Sequence, residues 1–246
     1  MNGLIRIGCS GYAYPHWRGN FYPPGWPERQ YLEFYASRFD SVELNVTFYR
    51  LPSAAVFRRW AARTPEDFTF ILKGSRFITH RKRLDCGRDA VVRFMRAAAP
   101  LDHKWRGVLW QLPPDLAPDP TRLDRFLSWL APFGQVRHFF EFRHPGWLTA
   151  PIQQRLADCG AGLCGSDWPG APCAECWCGA AVYFRRHGPG GAYGGSYSWR
   201  QRQRDAELLR AHAVAGREVF IYFNNDLDGM APVDAAAVKR YLTPGR

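Results

Sequence analysis

The 246-residue chain lacks the features that would place it in a membrane or divide it into parts. No apolar run approaches the roughly 20 residues that a membrane-spanning helix needs. No apolar stretch of signal-peptide length follows the amino terminus, so we expect a cytoplasmic protein with no membrane partner. No Pro/Ser-rich segment, charge block or internal repeat interrupts the sequence, and residues 1–246 are therefore expected to form one domain.

Common cofactor and metal signatures are also missing. Gly8-Cys9-Ser10-Gly11, after the first predicted strand, is not the GxGxxG fingerprint of dinucleotide-binding folds, and the chain has no HxH or HExxH motif. We therefore predict no cofactor and assign no metal ligand. The alternative is a divalent metal in the predicted site, whose ligands would come from His80, His187, Glu43, Glu141 and Asp167.

The seven cysteines are an odd number and follow no secretion signal, so reduced thiols are expected. Cys173, Cys176 and Cys178 form a cluster whose first pair has the CxxC spacing of zinc ligands. No second pair follows at the spacing of a zinc ribbon, and the sequence leaves the role of these three cysteines open.

Aromatic residues make up 15% of the chain, which is too much apolar surface for a disordered protein. Short β-rich runs recur along the chain, and most are continuously apolar, as is typical of parallel strands covered on both faces. The predicted strands are Leu4–Cys9, Ser41–Asn45, Phe68–Lys73, Gly107–Leu112, Val136–Phe142, Ala161–Ser166, Ala181–Arg186 and Glu218–Asn224. The predicted helices are Pro27–Arg38, Ser53–Arg63, Arg88–Ala99, Thr121–Leu130, Ala150–Cys159, Trp199–Val214 and Pro232–Leu242.

Eight strands alternating with about seven helices predict an α/β fold, the (β/α)8 or TIM barrel, in a single domain. One connection is irregular: Asp167–Gly179, between strands six and seven, contains Pro169, Gly170 and Pro172 and cannot hold a full helix. A doubly wound open sheet is the alternative fold.

Active sites of such barrels lie at the carboxyl ends of the strands, which together form the mouth of the barrel. Helices cover the outer face of each strand, so charged side chains at the carboxyl end of a strand are expected to point into the mouth. Glu43, Lys73, Glu141 and Arg185 are poor turn residues and are costly to bury unpaired. They predict a functional site, with a purely structural layer of ion pairs as the alternative.

The residue types suggest roles at this site. Crowded carboxylates raise one another's pKa values, which would keep one protonated for acid/base chemistry. A lysine can neutralise an oxyanion or act as a Schiff-base amine, and arginines suit bidentate contact with phosphate or carboxylate. The predicted catalytic residues are Glu43, Lys73, Glu141 and Asp167. The predicted substrate-binding residues are Tyr12, Trp17, Asn45, His80, Gln111, Arg143, Arg185, His187, Tyr197, Asn224 and Asn225.

The formal net charge of +11 predicts attraction to phosphates, nucleic acid or anionic metabolites. The glycine-rich segment His187–Gly195 could direct backbone N–H groups at an anion, and a plain flexible loop is an equal alternative. Aromatic residues in the loops suit stacking of bases or sugar rings. Basic residues cluster after the third predicted strand, at Lys73, Arg76, Arg81, Lys82, Arg83 and Arg88.

An ordered set of motifs along nearly the whole chain resembles the YecE-like family, a domain of unknown function. The amino-terminal motifs are Gly8-Cys9-Ser10-Gly11-Tyr12, Trp17, Phe21-Tyr22-Pro23, Val42-Glu43-Leu44-Asn45, Phe48-Tyr49, Lys73, Ile78-Thr79-His80 and Leu84. The later ones are Gln111-Leu112-Pro113-Pro114, Glu141-Phe142-Arg143-His144, Trp147, Arg185-Arg186-His187-Gly188, Tyr193, Tyr197-Ser198 and Phe223-Asn224-Asn225-Asp226. The resemblance implies a TIM barrel and, through a loose similarity in fold to endonuclease IV, DNA binding. It implies no established activity.

Two hypotheses follow. The first is an enzyme acting on a small phosphorylated or otherwise anionic substrate by hydrolase- or isomerase-type acid/base chemistry, with phosphodiester hydrolysis among the candidates. The second is a nucleic-acid-binding protein without catalysis. The sequence leaves the substrate and the oligomeric state open.

Overall fold

A computed structural model describes residues 3–171, 181–191 and 193–243. Its eight strands pair in parallel and in the order β1-β8-β7-β6-β5-β4-β3-β2, so that neighbours in the chain are neighbours in the sheet. This order curls the sheet into a nearly closed (β/α)8 barrel and confirms the predicted fold. The strands are β1 (Ile5–Cys9), β2 (Ser41–Leu44), β3 (Thr69–Lys73), β4 (Trp105–Gln111), β5 (Arg137–Glu141), β6 (Gly162–Ser166), β7 (Ala181–Arg186) and β8 (Glu218–Phe223).

The seam between β1 and β2 closes differently from the other strand pairs. One parallel bridge joins Ser10 to Glu43, and the Tyr35 hydroxyl accepts a hydrogen bond from the Cys9 N–H at 2.7 Å. The same hydroxyl donates to the Ser41 carbonyl at 2.9 Å. Gly8 is required at this seam, since an added Cβ would lie 2.0 Å from the Ser41 oxygen.

Helices surround the barrel, and two of the described α-helices begin at side-chain caps. Asp119 accepts from the Arg122 N–H at 2.9 Å before the helix Pro120–Leu130, and Ser198 and Gln201 form a capping box at the start of the helix Trp199–Val214. None of the described helices is long and apolar enough to cross a membrane. The helices are α1 (Tyr31–Ala36), α2 (Val46–Tyr49), α3 (Ala54–Ala62), α4 (Arg88–Ala98), α5 (Pro120–Leu130), α6 (Ala150–Asp158), α7 (Trp199–Val214) and α8 (Ala231–Leu242).

Several element boundaries differ from the predicted ones. The predicted helix Pro27–Arg38 is a 3-10 turn, Glu28–Gln30, followed by the short helix α1. Strand β2 stops at Leu44 because Asn45 already has helical backbone angles and leads into α2. Neither α2 nor the π-helical turn Phe77–Arg81 was predicted, since both are too short to show a periodic pattern.

The irregular connection after β6 is described only in part. Residues 167–171 contain no helix, in agreement with the prediction for that portion. The cysteine cluster with the CxxC spacing of zinc ligands, Cys173, Cys176 and Cys178, falls in residues 172–180 and lies outside the described residues.

Apolar side chains pack on both faces of the sheet, which explains the continuously apolar strand sequences. Inside the barrel, one buried cluster includes Ile71, Leu109, Phe139, Tyr183 and Tyr222. Side chains of a strand alternate between faces, so the residue two positions later also points inward. Those next inward residues are Lys73, Gln111, Glu141, Arg185 and Asn224.

Candidate functional site

An ion-pair network lies at the mouth, built on the completely buried side chain of Arg185 from β7. Its guanidinium donates to Glu43 Oε1 on β2 at 2.9 Å and to Glu141 Oε2 on β5 at 2.6 Å. The other oxygen of Glu43 accepts from the Tyr183 hydroxyl at 2.5 Å. Strands that are far apart in the sequence therefore share one buried arginine.

Glu141 has two further partners. Its Oε1 accepts from Arg143 Nε at 3.2 Å and lies 3.0 Å from His187 Nε2. Burial by itself would raise the pKa of Glu141, but Arg185, Arg143 and His187 together hold that pKa well below its ordinary value. The expectation that crowding keeps a carboxyl protonated is wrong for Glu141, because an arginine lies between the two glutamates.

His187 is neutral in this network. Burial lowers its pKa, while its Nδ1 lies 3.2 Å from Asn224 Nδ2. An amide nitrogen can only donate, so Nδ1 accepts and Nε2 carries the proton that is donated to Glu141. The hydrogen bonds thus define one tautomer and fix the ring in place.

Arg143 is 7% exposed and has an unused donor. Its Nη1 donates to the Tyr193 hydroxyl at 3.0 Å, and its guanidinium carbon lies 3.7 Å from the centre of the Trp168 ring. Its Nη2 is buried and has no hydrogen-bond partner among the residues that the structure describes. A buried N–H without a partner is costly, and a bound anion would satisfy it.

Lys73 ends β3 and is only partly exposed. Within the described ranges, no carboxylate forms an ion pair with it, and its Nζ lies 4.4 Å from the centre of the Phe48 ring. Burial lowers the pKa of Lys73 to about 7, and the nearby Arg185 adds to this effect against the opposing influence of Glu141 and Glu43. When it is protonated, Lys73 is therefore a cation in excess of the network, in which two carboxylates already face two arginines.

His80 and Gln111 occupy the neighbouring part of the mouth. Gln111 Nε2 lies 3.5 Å from His80 Nε2, and His80 Nδ1 lies 2.8 Å from the Thr79 hydroxyl. Burial and the charge of Lys73 lower the pKa of His80 to about 4. His80 is thus uncharged at neutral pH, and its ring packs edge-on against Phe48.

Asp167, Tyr197 and Asn225 hold the β7–α7 loop in place. Asp167 Oδ1 accepts from the His187 N–H at 2.7 Å and its Oδ2 accepts from the Tyr197 hydroxyl at 2.5 Å. That hydroxyl also accepts from the Gly188 N–H at 2.6 Å, and Asn225 Nδ2 donates to the Gly195 carbonyl at 2.8 Å. These contacts indicate a positioning role for residues that we predicted to be catalytic or substrate-binding.

The described part of the glycine-rich loop uses its N–H groups internally. The N–H groups of Gly191 and Tyr193 donate to carbonyls within the loop, and that of Gly195 donates to Asp228. With Gly188 bound to Tyr197, four loop N–H groups have partners within the protein. The hypothesis that this loop cradles an anion gains no support from these four.

Two predicted aromatic residues lie away from the network. Trp17 is completely buried among neighbouring aromatic rings, so its side chain has no surface with which to contact a substrate. Tyr12 lines a separate groove of about 360 Å³, together with Tyr14, Asn45 and Trp60. Asn45 Nδ2 donates to the Ser10 carbonyl at 3.1 Å, which places this residue between the groove and the β1–β2 seam.

Tyr183, Ser10, Phe48 and Trp168 belong to the site but were not among the predicted site residues. Strand alternation could have identified Tyr183, because it precedes Arg185 by two positions and so shares its face. The contact of Phe48 with Lys73 depends on α2, which was not predicted. Within the described ranges, no group of three or more His, Cys, Asp or Glu side chains is arranged to hold a metal ion.

Fold and site together define the class of this protein as a (β/α)8 barrel with a network of buried charges at its mouth. The chain belongs to the family described as "Protein of unknown function DUF72", whose model matches residues 6–245. This confirms the resemblance to the YecE-like family.

Named relatives agree with this assignment. UPF0759 protein YecE from Escherichia coli (strain K12) is 36% identical over 158 residues, which are 64% of this chain and 55% of that protein. UPF0759 protein YunF from Bacillus subtilis (strain 168) is 29% identical over 159 residues, 62% of this chain and 55% of that protein. The aligned region thus spans about half the length of these curated relatives.

Solved structures of the family share the fold. A DUF72 family protein from Thermotoga maritima has a TM-score of 0.85 at 25% identity and covers 97% of this chain and 99% of its own. One from Enterococcus faecalis has a TM-score of 0.84 at 19% identity and covers 99% of this chain and 97% of its own. The second likeness bears on the fold alone.

Proposed function

We propose that this protein is an enzyme that binds a small phosphorylated or carboxylated substrate at the mouth and transfers protons through Lys73. The observation that carries the proposal is the unpartnered Nη2 of Arg143, in the same mouth as a lysine without a counter-charge. Glu43 and Glu141 are balanced by Arg143 and Arg185, so a bound anion would neutralise the remaining positive charge of Lys73.

The roles differ from those expected from residue type alone. Glu141 is held ionised by three partners, and both oxygens of Glu43 are engaged, so these carboxylates support Arg185 and His187. Lys73 exchanges a proton near neutrality, which suits general acid/base chemistry at physiological pH. Isomerisation or elimination next to an anionic group fits this arrangement better than hydrolysis by a carboxylate pair.

Binding is tested by thermal denaturation with a panel of inorganic phosphate, pyrophosphate, sugar phosphates and small carboxylates. An anion present at 100 times its Kd stabilises by about 2.7 kcal/mol, which corresponds to a Tm increase of roughly 5–10 °C for a chain of this size. The wild type is compared with Arg143→Gln. The matched control is Arg96→Gln, which removes the same charge from an exposed residue of α4.

At least one anion is expected to stabilise the wild type and Arg96→Gln and to lose its effect on Arg143→Gln. Equal shifts in all three proteins, or no shift with any anion, would contradict the proposed site. Each stabilising anion is then incubated with the wild type and with Lys73→Met and followed by NMR. Conversion by the wild type alone is expected, and stability of every bound anion would refute the catalytic part.

Nucleic-acid binding is the second candidate. It is supported by the exposed Arg76, Arg81 and Lys82, which follow β3 beside the mouth. The network itself argues for the smaller ligand, because the buried groups are enclosed and the unused Arg143 donor lies among them. A steep salt dependence of binding would distinguish this candidate from a site for a small anion.

A further inference from the structure

Lysine is rare in this chain, and one lysine stands apart from the others. The sequence holds four lysines among its 33 basic residues, at positions 73, 82, 104 and 239. Lys104 and Lys239 donate to backbone carbonyl oxygens at 2.8–3.0 Å, and Lys82 is exposed. Lys73 lies in the mouth with neither an ion pair nor a hydrogen bond to any described residue through its Nζ, only the ring contact with Phe48.

Lysine differs chemically from arginine in a way that matters at position 73. Arginine stays protonated in proteins, whereas the amine of a desolvated lysine can lose its proton and become a nucleophile. Arg143 and Arg185 already provide fixed positive charge at the mouth. A third fixed charge would not require a lysine in a chain in which 29 of the 33 basic residues are arginine.

The surroundings of Lys73 favour the neutral amine. Arg143 and Arg185 repel its proton, and the two glutamates that would attract it are bound to those arginines. His80, which also contacts the Phe48 ring, is uncharged and adds no attraction for the proton. With a pKa of about 7, the neutral fraction of Lys73 at pH 7 is on the order of a thousandfold larger than that of an ordinary lysine.

We propose that Lys73 forms a Schiff base with a small anionic aldehyde or ketone whose phosphate or carboxylate is bound by Arg143. This inference rests on the anion site of the proposed function and adds to it the substrate class and the first covalent step, in which the Lys73 amine acts as a nucleophile instead of a proton carrier. In that step Nζ attacks the carbonyl carbon, a C–N bond forms, and the carbonyl electron pair moves to oxygen.

The remaining atoms balance without an added reactant. The oxygen takes one proton from the amine to give a carbinolamine and a second proton from solvent. The C–O bond then breaks and water leaves, while the nitrogen electron pair forms the C=N bond of an iminium ion. The iminium is a cation, so the Phe48 ring face stabilises it, and the bound anion offsets repulsion from Arg143 and Arg185.

The step is tested by reductive trapping with glyceraldehyde 3-phosphate and sodium cyanoborohydride at pH 7, with uncharged glyceraldehyde as the matched probe. Hydride reduction converts an imine to a stable secondary amine, so a trapped lysine gains the mass of the probe minus one oxygen atom. Peptide mass spectrometry compares labelling of Lys73 with that of exposed Lys82 in the same sample. We expect labelling of Lys73 to exceed that of Lys82 by at least about tenfold, because its neutral fraction is far larger.

Three comparisons decide the outcome. Labelling at Lys73 should fall when glyceraldehyde replaces glyceraldehyde 3-phosphate, and it should also fall in Arg143→Gln. In Lys73→Arg, labelling at position 73 should vanish, whereas the thermal shift caused by glyceraldehyde 3-phosphate should persist. If Lys73 takes no more label than Lys82 although anions stabilise the protein through Arg143, the Schiff base is refuted and the anion site stands. If no anion stabilises the protein and Lys73 is unlabelled, both proposals fail.

Discussion

The burial of Lys73 has a cost in stability. Burial and Arg185 lower its pKa to about 7, whereas an unfolded lysine titrates near 10.4. Between these values the unfolded chain binds more protons than the folded one, so the contribution of Lys73 to the free energy of unfolding rises with pH. The full destabilisation caused by burying the protonated Lys73 amine is therefore present below about pH 7.

Lys73→Met should therefore be more stable than the wild type at pH 6.5, and the difference should shrink as the pH rises to 10. The change amounts to at most about 1.4 kcal/mol per pH unit. Urea denaturation at a series of pH values measures it, with Lys82→Met as the exposed control. A difference that is independent of pH would show that Lys73 keeps an ordinary pKa.

Replacing Arg185 should destabilise the protein, whereas replacing Lys73 should stabilise it, because Arg185 compensates the charges of buried carboxylates. Arg185→Met leaves Glu43 and Glu141 buried without their shared partner and should cost about 3–5 kcal/mol at pH 7. The pKa of Glu141 is lowered in the folded protein, so its stabilising effect is present above its ordinary value, about 4.3, and is lost as the pH falls toward the folded pKa.

The difference in unfolding free energy between the wild type and Arg185→Met should accordingly narrow below about pH 4.3. Arg96→Met, at an exposed position on α4, serves as the control for loss of one arginine. A loss below 1 kcal/mol at pH 7 would mean that the buried network contributes no more than a surface ion pair.

At the scale of elements, the β1–β2 seam depends on one hydroxyl group. Tyr35→Phe removes a hydrogen bond to the Cys9 N–H and another to the Ser41 carbonyl, and both groups are buried. An unsatisfied buried group costs about 1–3 kcal/mol, so for the two groups together we expect a loss of roughly 2–6 kcal/mol. Hydrogen exchange at the Cys9 amide should accelerate, whereas the control Tyr241→Phe, near the end of α8, should leave it unchanged.

The same seam connects the fold to the site. The bridge between Ser10 and Glu43 continues the β1–β2 contact upward, and Glu43 is one of the two partners of Arg185. If Tyr35→Phe unfolds at the wild-type denaturant concentration and its Cys9 amide stays protected, then the backbone contacts alone close the barrel.

For the whole molecule, the net charge of +11 is the feature that would act on nucleic acid. If Arg76, Arg81 and Lys82 each contact one phosphate of a single strand, affinity should fall about tenfold to twentyfold between 50 and 200 mM salt. Fluorescence anisotropy with labelled single-stranded DNA measures this fall. Replacing the three residues by Gln should weaken binding and flatten the salt dependence, while Arg96→Gln should change little.

Two outcomes would remove this candidate. Absence of binding at 50 mM salt would show that the positive charge has no affinity for single strands, and equal binding by the triple variant would place the contact elsewhere. Either result favours a small anionic substrate over nucleic acid.

The amino-acid sequence by itself determined the number, order and parallel pairing of the strands, because continuous apolar runs separated by helical stretches have few other ways to bury their surface. It also identified most of the polar residues at the mouth, since side-chain alternation places Glu43, Glu141 and Arg185 on inward faces. The sequence did not predict short elements such as α2, because four residues carry no periodic signal.

Only the tertiary structure decided which charges pair. Glu43 and Arg185 are 142 positions apart, and their contact depends on how the barrel closes at the Tyr35 seam. Closure places an arginine between the two glutamates and so lowers the pKa of Glu141 where residue type alone suggested the opposite. Closure also leaves Lys73 without a carboxylate partner among the described residues. The charge state of a buried group depends on all of its neighbours in space, and the linear order of residues does not contain that information.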